Sequence, residues 1–154
     1  MGLPYNQQFG DGELSQIRDF LEGLPYLEYL DLNLISSPIL KKPEFQLSGL
    51  EELVSFRYDI SKSSSIIESQ IRLENLPKLK HIDFDLSQNK IMEKSDLTLK
   101  SLESLESLQL KFNTADKLKE AVICLENLQS LRTFDLLINT CPQLLTLEFI
   151  RSEE

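Results

Sequence analysis

The chain has 154 residues, 41% hydrophobic and 27% charged, the balance of one soluble globular domain long enough to bury a core. Leucine dominates, tryptophan is absent and there are only five glycines, so the core is aliphatic more than aromatic. A formal charge of −9, without a Lys/Arg cluster to offset it, argues against nucleic-acid binding and against anionic membrane surfaces.

Other classes are excluded by what the motifs lack. No apolar run approaches the roughly 20 residues of a spanning helix. The N-terminus has no basic-then-apolar secretory signal, and "MGLPYN" carries Asn6 where a myristoylation site needs Ser or Thr. Cys124, Cys141 and the single His81 form no ligand spacing, so no metal and no cofactor is expected, and both cysteines are expected to be buried and reduced. The expected setting is cytoplasmic.

Residues 1–13 read as a polar cap or loop, because "PYNQQ" at 4–8 has no alternating apolar face. Leu14, Ile17, Leu21 and Leu24 then fit one face of a helix, and Pro25 helps to end it. "LEYLDLNL" follows, with apolar residues at a spacing of two, the signature of a strand with one buried face. The same pattern returns in "LVSFRYDI", "LKHIDFDL", "LESLQLKF" and "LRTFDLLI".

Between these strands, a second-repeat helix is expected to begin near Pro43, and "SKSSS" at 61–65 reads as a loop followed by a cap. Pro77, like Pro25, falls where a helix would end, and Leu118, Ala121, Val122, Leu125 and Leu128 fit another helical face. "CPQLLTLEFI" brings an apolar run only 13 residues after Phe134. That is too short for a helical crossover, and implies a sixth strand by a tight connection or an antiparallel closing strand.

The strands belong to a repeat of 26 residues. Leu21, Leu47, Leu73, Leu99 and Leu125 form one column, and Leu24, Leu50, Leu76, Leu102 and Leu128 another. Leu27, Leu53, Leu79, Leu105 and Leu131 form a third, so five units keep register without insertion over 14–138, leaving 139–154 as a C-terminal cap. One such unit cannot bury its apolar side alone, and stacking supplies the core.

In "HIDFDLSQNKI" the residues Phe84, Leu86, Asn89 and Ile91 match the pattern LxxLxLxxN/CxL, and the chain resembles a leucine-rich-repeat protein over about residues 14–150. The repeat length resembles the intracellular, ribonuclease-inhibitor-like type. The resemblance implies an α/β leucine-rich-repeat solenoid in one domain, with a parallel sheet on the concave side and short helices and loops on the convex side. The family's asparagine column departs from pattern, reading Ser37, Ser63, Asn89, Ala115 and Cys141, so less regular turns are expected, partly served by Asn113 and Asn139.

Strand residues between the buried ones face outward in three columns. The first is Tyr29, Ser55, His81, Ser107 and Thr133, and the second Asp31, Arg57, Asp83, Gln109 and Asp135. The third is Asn33, Asp59, Asp85, Lys111 and Leu137. Five aspartates against Arg57 and Lys111 leave these columns at −3.

The resemblance makes this face the partner-binding one. The expected contact residues are Tyr29, Asp31, Asn33, Arg57, Asp59, His81, Asp83, Asp85, Gln109, Lys111 and Asp135, and their acidic bias favours a basic protein partner. His81 near Asp83, Ser55 and Ser107 does not make a triad on an open sheet without an oxyanion pocket, so no enzyme activity is expected. The chain reads as a non-catalytic interaction module, a monomer or a subunit of a larger assembly. The rival readings are an adaptor or substrate receptor using its convex side or ends, and an enzyme regulator.

Overall fold

The computed structural model describes residues 10–152; the expectation for 1–9 lies outside them. The first element, α1 (Asp11–Glu22), buries Leu14, Ile17 and Leu21 on one face, as their spacing predicts. Asp11 and Glu13 in its first turn complement the helix dipole, and the Glu13 carboxylate accepts the Gly10 backbone N–H at 2.9 Å. Its last turn closes through a bond from the Gly23 N–H to the Phe20 carbonyl, and Pro25 follows.

Ten strands complete the fold: β1 (Tyr29–Asn33), β2 (Glu44–Ser48), β3 (Ser55–Asp59), β4 (Glu68–Glu74), β5 (His81–Asp85), β6 (Lys94–Lys100), β7 (Ser107–Lys111), β8 (Glu120–Glu126), β9 (Thr133–Leu137) and β10 (Thr146–Ser152). Odd-numbered strands make one parallel sheet in the order β1-β3-β5-β7-β9, and even-numbered strands make a second in the order β10-β8-β6-β4-β2. Every paired residue lies 26 positions from its partner, as in Tyr29↔Ser55 and Glu44↔Gln70. The protein is a parallel β-solenoid of about five turns, each turn giving one strand to each sheet.

The second sheet overturns the α/β fold with convex helices. Where a helix was expected after Pro43 there is β2, and where Leu118–Leu128 suggested another there is β8. The physical reason is legible at Ile123. A helix burying Leu118, Ala121, Val122 and Leu125 would turn Ile123 to solvent, whereas the strand buries Ala121 and Ile123 together and leaves Val122 half-exposed. Pro77 ends no helix; it stands in the turn between β4 and β5.

With strands on both sides at one repeat length, the wedge of wide helices against narrow strands is missing. The concave and convex sides that the resemblance implied therefore lose their physical basis. The C-terminal run forms β10, which pairs parallel with β8 in the second sheet. Of the two alternatives, a strand reached by a tight connection is the one seen, and the antiparallel closing strand is not.

The coil bends at two series of residues with positive φ. Ser36, Lys62, Gln88, Thr114 and Thr140 have φ of 58–60°, and Gly49, Asn75, Ser101 and Asn127 have φ of 54–73°. The two series are offset by 13 residues, so each 26-residue turn consists of two similar halves. The expectation of irregular turns fails, because corner N–H groups pair from coil to coil: Lys62 to the Ser87 carbonyl at 3.0 Å, Gln88 to Asn113 at 2.7 Å, and Thr114 to Asn139 at 2.7 Å. Buried backbone groups must be paired, and this ladder does it without an asparagine in every coil.

Between the sheets lies one continuous core, from Leu14 in α1 to Ile123 in β8, joined by half-buried Phe134, Leu136 and Ile138 at the last coil. Phe45 of β2 stacks on Tyr58 of β3 with centroids 5.3 Å apart and lies 5.6 Å from Phe56, so aromatic volume concentrates near α1. Each such leucine or phenylalanine, fully buried, contributes about 1.5–3 kcal/mol. Among the described residues no helix is long and apolar enough to cross a membrane.

Candidate recognition face

The three outward columns of the first sheet fall into the expected register, with Asp31, Arg57, Asp83, Gln109 and Asp135 side by side. Alternation drives Phe56, Ile82 and Leu108 into the core and leaves their neighbours outside. At the centre is a recess of about 390 Å³ lined by Ser55, Arg57, His81, Asp83, Ser107, Gln109 and Asp135, over Phe56, Ile82 and Leu108. Tyr29 lies outside it on edge strand β1 and is 60% exposed.

The face is less acidic than its composition. Arg57 reaches Asp59 at 3.2 Å and Asp31 at 3.7 Å, and Lys111 binds both carboxylate oxygens of Asp83 at 2.9 and 3.2 Å. Asp135 is exposed and has no ion pair among the described residues. Asp85 makes no ion pair among the described residues either but is half-buried, so the exposed carboxylate left to meet a partner's cation is that of Asp135 on β9.

Three residues of the third column do a different job. The side-chain oxygens of Asn33, Asp59 and Asp85 accept the N–H groups of Ile35, Ser61 and Ser87, each two residues on, at 3.3, 3.1 and 2.9 Å. These are Asx turns, and each leads into a positive-φ corner at Ser36, Lys62 or Gln88. Asp59 is only 3% exposed, so it supports the corner rather than offering a surface. A signal for this lay in the sequence, in an Asn or Asp three residues before each of the first three corners.

His81 Nδ1 lies 2.9 Å from Ser107 Oγ, and among the described residues no hydrogen bond joins His81 to a carboxylate. Asp83, the acid a triad would need, is held by Lys111 instead. Among the described residues the pair therefore has no carboxylate hydrogen-bonded to the imidazole.

Both thiols are free and half-buried rather than fully buried as expected. Burial and the neighbouring Glu126 carboxylate, 3.6 Å away, push the Cys124 thiol up, away from the reactive thiolate. Cys141 donates to the Phe112 carbonyl at 3.0 Å, occupying the place that Asn89 has in its own coil. No group of three or more His, Cys, Asp or Glu among the described residues could hold a metal ion.

The second sheet is covered by ion pairs running along the solenoid. Lys42–Glu68, Lys94–Glu120, Lys100–Glu126 and Lys119–Glu93 each join residues 26 apart. Glu120 and then Asp96 hold the Lys94 ammonium above the ordinary lysine range. A smaller recess of about 310 Å³ lies among Lys42, Glu44, Glu68, Gln70, Lys94 and Asp96, where the charges already pair with one another. Compared with known protein families, curated proteins and solved structures, the chain returns no match.

Proposed function

We propose that this protein is a non-catalytic recognition module, a β-solenoid scaffold that binds a protein partner across the outward face of its first sheet. The observation that carries this reading is the recess around His81, Asp83 and Gln109, bounded on one side by Arg57 and on the other by the unpaired carboxylate of Asp135. Its base consists of in-register strands over a closed core, so side chains are presented without the entropy cost of ordering a loop.

The charge arrangement favours a partner carrying Lys or Arg. A cation entering the recess meets Asp135 without first breaking an ion pair, while Arg57 repels it from the β3 side. Tyr29 is the exposed aromatic anchor at the far edge. The leucine columns and the "HIDFDLSQNKI" stretch support kinship with leucine-rich repeats, with strands in place of helices on the second side. The hydrogen-bonded, unpaired thiols of Cys124 and Cys141 support a reducing, cytoplasmic setting.

Quantitative affinity capture from cell extract tests the reading, comparing the native chain with Gln109→Lys/Asp135→Lys. Both positions are surface-accessible, and the variant should fold normally. Recovery of the principal partner should fall by about tenfold or more, the loss expected when like charges meet across an interface. Equal recovery by both proteins would exclude this face.

A further inference from the structure

The two long edges of the solenoid, where the chain passes between the sheets, carry opposite charge. Segments leading from the first sheet to the second (34–43, 60–67, 86–93, 112–119 and 138–145) hold six lysines against Glu93 and Asp116, a net charge of +4. Segments leading into the first sheet (23–28, 49–54, 75–80, 101–106 and 127–132) hold five glutamates against Lys78, Lys80 and Arg132, a net of −2. The first edge is thus cationic in a chain whose net charge is −9.

The unpaired lysines gather on that edge. Lys78, Lys80, Lys94, Lys100 and Lys111, on the strands or the other edge, each pair with a carboxylate. On the cationic edge, Lys42 and Lys119 pair with Glu68 and Glu93. Lys41, Lys62, Lys90 and Lys117 are exposed and form no ion pair among the described residues; Asp116, half-buried beside them, forms none either. The four lysines sit on four successive coils, so they follow the solenoid axis over about 14 Å at the spacing of neighbouring strands. No cluster shows in the sequence, because more than twenty residues separate each from the next and only stacking brings them to one edge. Exposed Ile39 and Ile67 lie among them.

We propose that this edge binds an extended acidic segment of a protein partner, one in which carboxylates are set among aliphatic residues. Charge complementarity selects an anionic occupant, and Ile39 and Ile67 offer apolar contacts to the side chains between its carboxylates. Roughly four or five residues of extended chain span the four lysines. A nucleic acid fits less well. These segments hold no exposed aromatic side chain on which a base could stack. A duplex, broader than the edge, would bring phosphates against exposed Asp135 on the first sheet and Glu44 on the second. An anionic bilayer meets the net charge of the whole chain, whereas a peptide meets only the edge. The edge is separate from the recess around His81 and adds a second binding surface of opposite preference.

Fluorescence anisotropy of a dye-labelled peptide of glutamates interspersed with isoleucines, titrated with the full chain, tests this. The expected result is saturable binding that weakens as salt rises and is absent for the same peptide with glutamine in place of glutamate. Lys62→Glu/Lys90→Glu/Lys117→Glu should keep the native circular-dichroism spectrum and bind about tenfold or more weakly. Gln109→Lys/Asp135→Lys should bind the peptide as the native chain does, which separates this edge from the face of the first sheet. No saturable binding overturns the proposal, as does a folded triple variant of native affinity. Tighter binding of duplex DNA or of phosphatidylserine vesicles than of the peptide also overturns it. Should the triple variant fail to fold, hydrogen exchange on the native protein decides: amide protection in 60–67 and 86–93 must rise when the peptide is added, and unchanged protection overturns the proposal.

Discussion

Asn89 and Tyr58 are both buried polar residues, and they sit on opposite sides of the stability account. Asn89 accepts the Ser63 N–H at 3.0 Å and donates to the Leu86 carbonyl at 2.9 Å, so it pairs two backbone groups that the core would otherwise leave unsatisfied. Tyr58 is wholly buried, and its hydroxyl has no hydrogen-bond partner among the described residues. Removing that hydroxyl removes an unmet desolvation cost, so Tyr58→Phe should leave stability at neutral pH unchanged or raise it by about 1 kcal/mol. Desolvation by burial, and then the Asp11 charge, raise the Tyr58 phenol far above its ordinary range. The folded state therefore keeps the proton to higher pH than the unfolded chain, whose tyrosines ionise near pH ~10. Stability from this group is full below that pH and declines as pH rises above it. Urea denaturation at neutral and alkaline pH should show a steeper alkaline loss for the native protein than for Tyr58→Phe; parallel losses would contradict the assignment.

At the scale of elements, α1 and the odd-numbered strands were legible because each has a single period. Leu14, Ile17 and Leu21 recur at helical spacing, and the strand segments alternate at two. The even-numbered strands were hidden by overlap. Ala121 and Leu125 fit a helix face and a strand face equally, and Leu118, which belongs to a corner, completed the false helical set. The discriminating signal was a period of 13. Leu30, Leu32 and Leu34 recur 13 residues later as Pro43, Phe45 and Leu47, and Phe56, Tyr58 and Ile60 recur as Ser69, Ile71 and Leu73, all of them buried. Docking of α1 adds one carboxylate to its buried apolar face: Asp11 accepts the N–H groups of Lys41 and Lys42, each at 3.1 Å, just before β2. Asp11→Ala should cost about 1.5–3 kcal/mol, the range for hydrogen bonds to a charged group, read as a lower denaturation midpoint. An unchanged midpoint would show that apolar packing alone holds the helix.

For the whole molecule, the repeat determines more than its leucines. Lys78–Glu52 and Lys80–Glu106, like Lys42–Glu68, Lys94–Glu120, Lys100–Glu126 and Lys119–Glu93 on the second sheet, join residues 26 apart. Each is exposed and adds little energy, at most about 1 kcal/mol. Together they disfavour slippage, since a shifted strand would lose its opposite charge. The candidate face was legible as three columns, because alternation alone assigns outward positions. Its charge state was not, since Lys111 crosses to Asp83 and Arg57 to Asp59, contacts that depend on side-chain reach rather than on register. The central claim is that two parallel sheets, not a sheet and a layer of helices, enclose the core. Backbone chemical shifts for residues 68–74, 94–100 and 120–126 test it most directly. Extended-strand shifts, with cross-strand contacts between residues 26 apart, are the predicted result. Helical shifts in any of these three segments would contradict it.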